Sequence, residues 1–102
     1  MTTSLVEIQL ARIQHVGVAP DTLTVDLADG RTLAVPLAWY PRLLHGNAEE
    51  RANWQLVGEG QGIHWPALDE DISVENLILG KPSCESQRSL QRWLEQRRGR
   101  VE

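Results

Sequence analysis

Three consecutive carboxylates, Asp69, Glu70 and Asp71, follow His64-Trp65-Pro66 by a few positions, and no other stretch of the chain gathers as many groups able to move a proton or hold a cation. In an extended segment Asp69 and Asp71 share a side, and carboxylate with imidazole suits magnesium, manganese or iron. The same acids have a plainer use beside a helix start at Ser73, where they complement the positive end of the helix dipole. A calcium loop needs ligands at alternating positions over about twelve residues with a closing glutamate, which the sequence does not supply. His15, His45 and His64 include no pair at helical i, i+4 spacing and have no cysteine beside them, so neither a ligand set nor a nucleophile with its base is legible. Cys84 is the single cysteine, which excludes an intramolecular disulfide and a cysteine-based zinc site. Gly58-Glu59-Gly60-Gln61-Gly62 lacks the lysine and hydroxyl that close a phosphate loop, and it leads into Ile63-His64-Trp65 rather than a helix, so it reads as a strand connection. No metal or cofactor is expected, and the chain is not expected to be an enzyme.

Binding chemistry is more evident than catalysis. Residues 1–80 carry eleven acids against four arginines, a balance of −7, while residues 81–102 carry Lys81 and five arginines against three acids, a balance of +3; together these give the net charge of −4. An acidic body repels nucleic acid, so any contact with it falls to Arg88, Arg92, Arg97, Arg98 and Arg100. Those cations equally complement the dipole at the C-terminal end of a solvated helix. Aromatic content is confined to Trp39, Tyr40, Trp54, Trp65 and Trp93. Trp54 and Trp65 are expected inside. Trp39 and Tyr40 are expected to cover a sheet or line a groove, and Leu90, Trp93 and Leu94 to form an apolar interaction face.

Elements that could position these groups follow from the hydropathy pattern. Residues 10–18 read as a strand with Ile13, His15 and Gly17 on one side and Val16 and Val18 on the other. Leu23, Val25 and Leu27 alternate with Thr22, Thr24 and Asp26, and Leu33 and Val35 continue the alternation beyond Asp29-Gly30, a strong hairpin signal. A three-stranded antiparallel meander over residues 10–36 results. Pro36 ends it, residues 37–44 read as a short helical or irregular cover with Pro41 at a turn, and Asn47 caps a helix over residues 48–52. Residues 54–57 and 63–66 read as a second strand pair. Ser73 and Gly80 bracket a short helix, Lys81-Pro82 forbids its continuation, and a second helix is expected from Ser83 to about residue 98. The fold class is α+β: a β-meander and a strand pair covered by short helices, with a C-terminal helix. The organisation is a domain over residues 1–80 with a basic helix over residues 81–102 appended to it. With 41% hydrophobic and 24% charged residues this is an ordinary globular composition. No stretch reaches the roughly 18 apolar residues of a membrane span, and Met1-Thr2-Thr3-Ser4-Leu5 has no signal-peptide character, so a cytoplasmic location without membrane partners is expected.

Asp29-Gly30-Arg31, the run from Val35 through Pro36-Leu37-Ala38-Trp39-Tyr40-Pro41-Arg42 to Leu43, Asn53-Trp54, and Gly62-Ile63-His64-Trp65-Pro66-Ala67-Leu68-Asp69-Glu70-Asp71-Ile72-Ser73-Val74 together resemble the bacterial family called domain of unknown function 2442, over roughly residues 10–80. The resemblance implies a small α+β protein. Some members of that family carry an added helix-turn-helix, and many are encoded beside a second small protein in arrangements resembling toxin–antitoxin pairs. The family offers no established catalytic residues to carry over. This chain has only one further helix after Gly80, a departure that weakens direct DNA recognition. The expected function is therefore non-catalytic protein binding, antitoxin-like or regulatory, toward a small basic toxin-like partner and with a homodimer as a further expectation. The alternatives are a nucleic-acid-binding regulator using the arginine helix, and a small metal-dependent enzyme using His64 and Asp69 to Asp71.

Overall fold

The computed structural model describes residues 11–100, with the side chains of residues 99 and 100 left aside. Strands β1 (Ile13–Val18), β2 (Thr22–Leu27) and β3 (Thr32–Pro36) form an antiparallel meander in the order β1-β2-β3. Its inner rows run Val16–Val25–Leu33 and Val18–Leu23–Val35. Leu23, Val25 and Leu27 are at most 2% exposed, so the alternation in the sequence corresponds to one dry face. One detail differs from the sequence reading. Ile13 and Val16 are both buried although an odd spacing should place them on opposite faces. An irregularity between Ile13 and His15 absorbs one residue, the effect of a β-bulge, and turns Ile13 inward while Gln14 and His15 stay out. The β2–β3 turn closes with Leu27 N–H donating to Arg31 O at 2.8 Å and with Gly30 at φ 96°, the left-handed conformation that glycine adopts without strain.

After β3 come a 3-10 turn over Leu37–Trp39, helix α1 (Pro41–His45) with Pro41 in its first turn, and helix α2 (Ala48–Ala52). Asn47 caps α2 through a reciprocal capping box with Glu50. The second sheet is larger than the expected pair: β4 (Gln55–Val57), β5 (Gly62–Trp65) and β6 (Glu70–Ser73) form a three-stranded antiparallel sheet in that order. The acidic run that resembled helix-start decoration is therefore partly a strand. Asp69 at φ 51° ends the turn into it, and only Ser73, whose Oγ accepts from Asn76 N, caps the helix α3 (Val74–Leu79). Gly80 at φ 73° stops α3. Helix α4 spans Gln87–Arg100, so it starts later than Ser83. Ser86 accepts from Ser89 N and takes the capping place, whereas Ser83 turns its N–H to Trp39 O at 3.0 Å and its hydroxyl to Glu85 N.

One buried cluster draws on both sheets and on α1 and α3, with Trp65, Leu23, Leu37, Leu43, Ile63, Leu68 and Val25 its largest fully buried members. Trp65 satisfies its indole N–H on Arg51 O at 3.0 Å. Trp54, expected inside, is only half-buried and meets His15 edge-on, with ring centroids 5.7 Å apart.

Candidate functional site

Strand periodicity in the second sheet separates the three neighbouring carboxylates. Ile63 pairs with Ile72, and both face inward; two residues along, Trp65 pairs with Glu70 on the same side. Glu70 is thus an inward carboxylate. Burial pushes it up to about 7, Arg42 opposes that rise, and Glu85, Asp71 and Asp69 add to it through like charge. Asp71 points the other way and pairs across the strands with His64, Nδ1 to Oδ1 at 2.8 Å. Asp69 stands at the turn, 3.6 Å from the Arg42 guanidinium. His64, Asp69 and Asp71 therefore do not converge, and no group of three or more histidine, cysteine or acidic side chains able to hold a metal occurs among the described residues. Pro66, the remaining motif residue, is exposed in the turn between β5 and β6.

The arrangement that does converge was not legible in the sequence. Arg42, on α1, donates from Nε to both oxygens of Glu85 at 3.0 Å and from Nη2 to Glu85 at 2.6 Å. Its Nη1 reaches the carbonyls of Leu68 and Asp69 at 3.4 and 3.2 Å. Ser89 on α4 donates to Glu85 at 2.8 Å. A second bridge runs in the opposite sense: Arg97 on α4 donates from both amino groups to Glu50 on α2, at 2.9 and 2.8 Å. Trp93 lies between the two bridges, its ring centroid 5.0 Å from the Arg42 guanidinium carbon and 4.7 Å from that of Arg97. Hydrogen bonds from their arginines hold Glu85 and Glu50 below the usual carboxylate range, and Arg42 and Arg97 are correspondingly raised. Glu85, held ionised by Arg42, is a poor base for the Ser89 hydroxyl. The chemistry on display is fastening.

Among the expected interaction residues, Leu90, Trp93 and Leu94 are half-buried on the α4 face turned to the domain. Trp39 is half-buried against the core. Tyr40 is 3% exposed, and its hydroxyl donates to Lys81 O at 3.3 Å; burial, then the nearby Glu70, raises its pKa. Of the five arginines, Arg97 is consumed by Glu50, Arg88, Arg92 and Arg98 are exposed, and the Arg100 side chain lies outside the described residues. A shallow polar cleft of about 310 Å³ opens beside the fastening, between Arg42, Asp69, Ser89, Arg92, Trp93 and Gln96. Cys84 is exposed in the segment between α3 and α4.

Two small antiparallel sheets that share one core and are covered by short helices define an α+β domain. The chain belongs to the family described as Protein of unknown function (DUF2442), whose model matches residues 13–83, taking in both sheets and α1 to α3 and ending before α4. Two solved structures are similar. One is a protein of unknown function from Rhodospirillum rubrum ATCC 11170, 25% identical with a TM-score of 0.64, covering 76% of this chain and 95% of that one. The other is an uncharacterised protein from Chromobacterium violaceum, 16% identical with a TM-score of 0.65, covering 87% of this chain and 82% of that one, a likeness of fold alone. No curated protein is significantly similar to the chain. No helix among the described residues is long and apolar enough to cross a membrane.

Proposed function

We propose that the chain is a non-catalytic protein-binding module, the regulatory or antitoxin-like partner of a small basic protein. The observation that carries this reading is the edge strand β4, where Leu56 and Val57 are 37% and 43% exposed on opposite faces and one side of the strand has no neighbour among the described residues. Exposed aliphatic side chains beside unpaired backbone groups suit a protein partner that adds a strand or covers the edge. The acidic balance of residues 1–80 favours a basic partner and speeds its approach.

The test is co-expression with the products of the genes on either side of its own, followed by size-exclusion chromatography with light scattering. A defined complex that Val57→Asp removes is expected. The chain alone, compared with the same variant, reports whether β4 instead joins two copies. A second reading, nucleic-acid binding, rests on the outward placement of Arg88, Arg92 and Arg98, which have no carboxylate partners among the described residues. Failure to form the complex, with duplex DNA bound in a salt-steep manner that Arg88→Gln, Arg92→Gln and Arg98→Gln together remove, would favour that second reading over the first.

A further inference from the structure

Away from β4 and from the fastening of α4, a cleft of about 260 Å³ lies between the edge strand β1 and helix α2. Val16, Val18 and Pro20 border it on the strand side, Ala48 and Ala52 on the helix side, with Trp54 between. Arg51 is its single charged lining residue. Three arginines are half-buried among the described residues, and two of them, Arg42 and Arg97, hold carboxylates. Arg51 holds only carbonyls: Nε donates to Leu43 O at 2.8 Å and Nη2 to Leu44 O at 2.7 Å, leaving Nη1 and the full positive charge without a carboxylate among the described residues. A cation stripped of part of its water and given no counter-charge favours an anionic ligand group.

Strand β1 offers the remaining requirement. Among the described residues it pairs only with β2, so its outer side presents N–H and C=O groups with no strand partner there. Gly17 lies in this strand and its side-chain position is open, so no side chain of β1 crowds a residue added opposite it. The cleft is short, with room for one or two aliphatic side chains, and β1 turns away at Pro20. A chain end fits such a site better than a strand passing through.

We infer that the β1–α2 cleft binds the C-terminus of a partner protein as a short added strand, an aliphatic side chain entering the cleft and the terminal carboxylate meeting Arg51. The inference rests on the chain being a protein-binding module, but it does not involve β4.

The test uses the full chain labelled with ¹⁵N and a six-residue peptide of alternating threonine and valine ending in a free carboxylate, beside the same peptide as a C-terminal amide. Saturable shifts at the Gly17 and Val18 amides and the Trp54 indole are expected, with the free acid binding at least about tenfold tighter than the amide, the effect of one charge-assisted contact. Ala48→Glu, at an exposed helix position one turn before Arg51, supplies Arg51 with a carboxylate in advance and should bring the acid down to the level of the amide. Arg51→Gln should do the same, and the Ala48 variant keeps the test sound if loss of the Leu43 and Leu44 contacts unfolds the Gln variant. Absence of shifts at β1 and α2 at millimolar peptide, or equal binding of acid and amide, would overturn the inference. So would tighter binding of an amidated peptide ending in glutamate, which would assign the site to a side chain. Because partner capture through β4 is read with Val57→Asp, it can succeed while the cleft fails, and the two results stay separate.

Discussion

Glu70 is inside because strand alternation gives it the same face as Ile72, and its protonation must report that position. Its folded pKa is raised, to about 7, so between the ordinary value of 4.5 and about 7 the folded chain keeps a proton that the unfolded chain has lost. Stability therefore falls as pH rises through that window and levels off above it. Glu50 and Glu85 act in the opposite sense: their pKa values are lowered, and the stability they contribute is lost as pH falls below the ordinary carboxylate value. The stability maximum is expected in mildly acidic solution. Glu70→Gln should stabilise the chain by about 1–2 kcal/mol at pH 8, allowing for screening of a partly exposed group, and by little near pH 4.5, so that thermal melts across pH 5–8 become flat. A wild-type melting temperature that does not fall over that range would refute this account. Arg42 makes the complementary prediction. Arg42→Ala leaves Glu85 half-buried without its partner and uncovers one contact of Trp93, and a loss of about 2–3 kcal/mol in urea unfolding is expected. None of this pairing was legible in the sequence, because 43 residues separate Arg42 from Glu85 and no local pattern encodes such a contact. The bridge from Arg97 to Glu50, 47 positions apart, is hidden for the same reason.

Elements whose signals are local were read well. The meander follows from alternation and from Asp29-Gly30, α2 from Asn47, and α3 from Ser73 and Gly80. Strand β6 was missed because Asp69-Glu70-Asp71 obscures an alternation in which Glu70 and Ile72 face in, and an inward glutamate looks polar in any sequence pattern. The start of α4 was misplaced because Ser83 and Ser86 are equally good caps by type, and the bond from Ser83 N to Trp39 O that decides between them is a tertiary contact. Two glycines test the turns. Gly80→Ala meets open space but must hold φ 73°, so a cost of about 1 kcal/mol is expected from backbone strain alone. Gly60→Ala must hold φ 91° and would also place its Cβ 2.8 Å from Ile13 O, so it should be markedly worse. Equal denaturation midpoints for the two variants would show that the packing of the Gly58–Gly60 turn against β1 contributes nothing.

At the scale of the whole molecule, the family domain and the basic helix beyond it are held together by side chains of opposite polarity in alternation. The domain contributes the cation Arg42 and the anion Glu50; the helix contributes the anion Glu85, just before its first turn, and the cation Arg97. A variant ending at Ser83, where the family match stops, is expected to unfold cooperatively but at a lower temperature than the full chain, since Arg42 and Glu50 lose their partners and the core cluster loses Trp93. A noncooperative melt would show instead that the helix belongs to the folding unit. The two bridges also set direction, because a helix docked backwards would bring Arg97 to Arg42 and Glu85 to Glu50. They do not set ownership. A neighbouring molecule's helix presents the same charges in the same order, so at high concentration two chains can exchange their C-terminal helices and keep every contact of the closed monomer. Arg42→Glu and Glu85→Arg chains, each impaired alone, should then rescue one another when mixed, as a domain-swapped heterodimer in which one of the two clasps carries its charges reversed and the other is native.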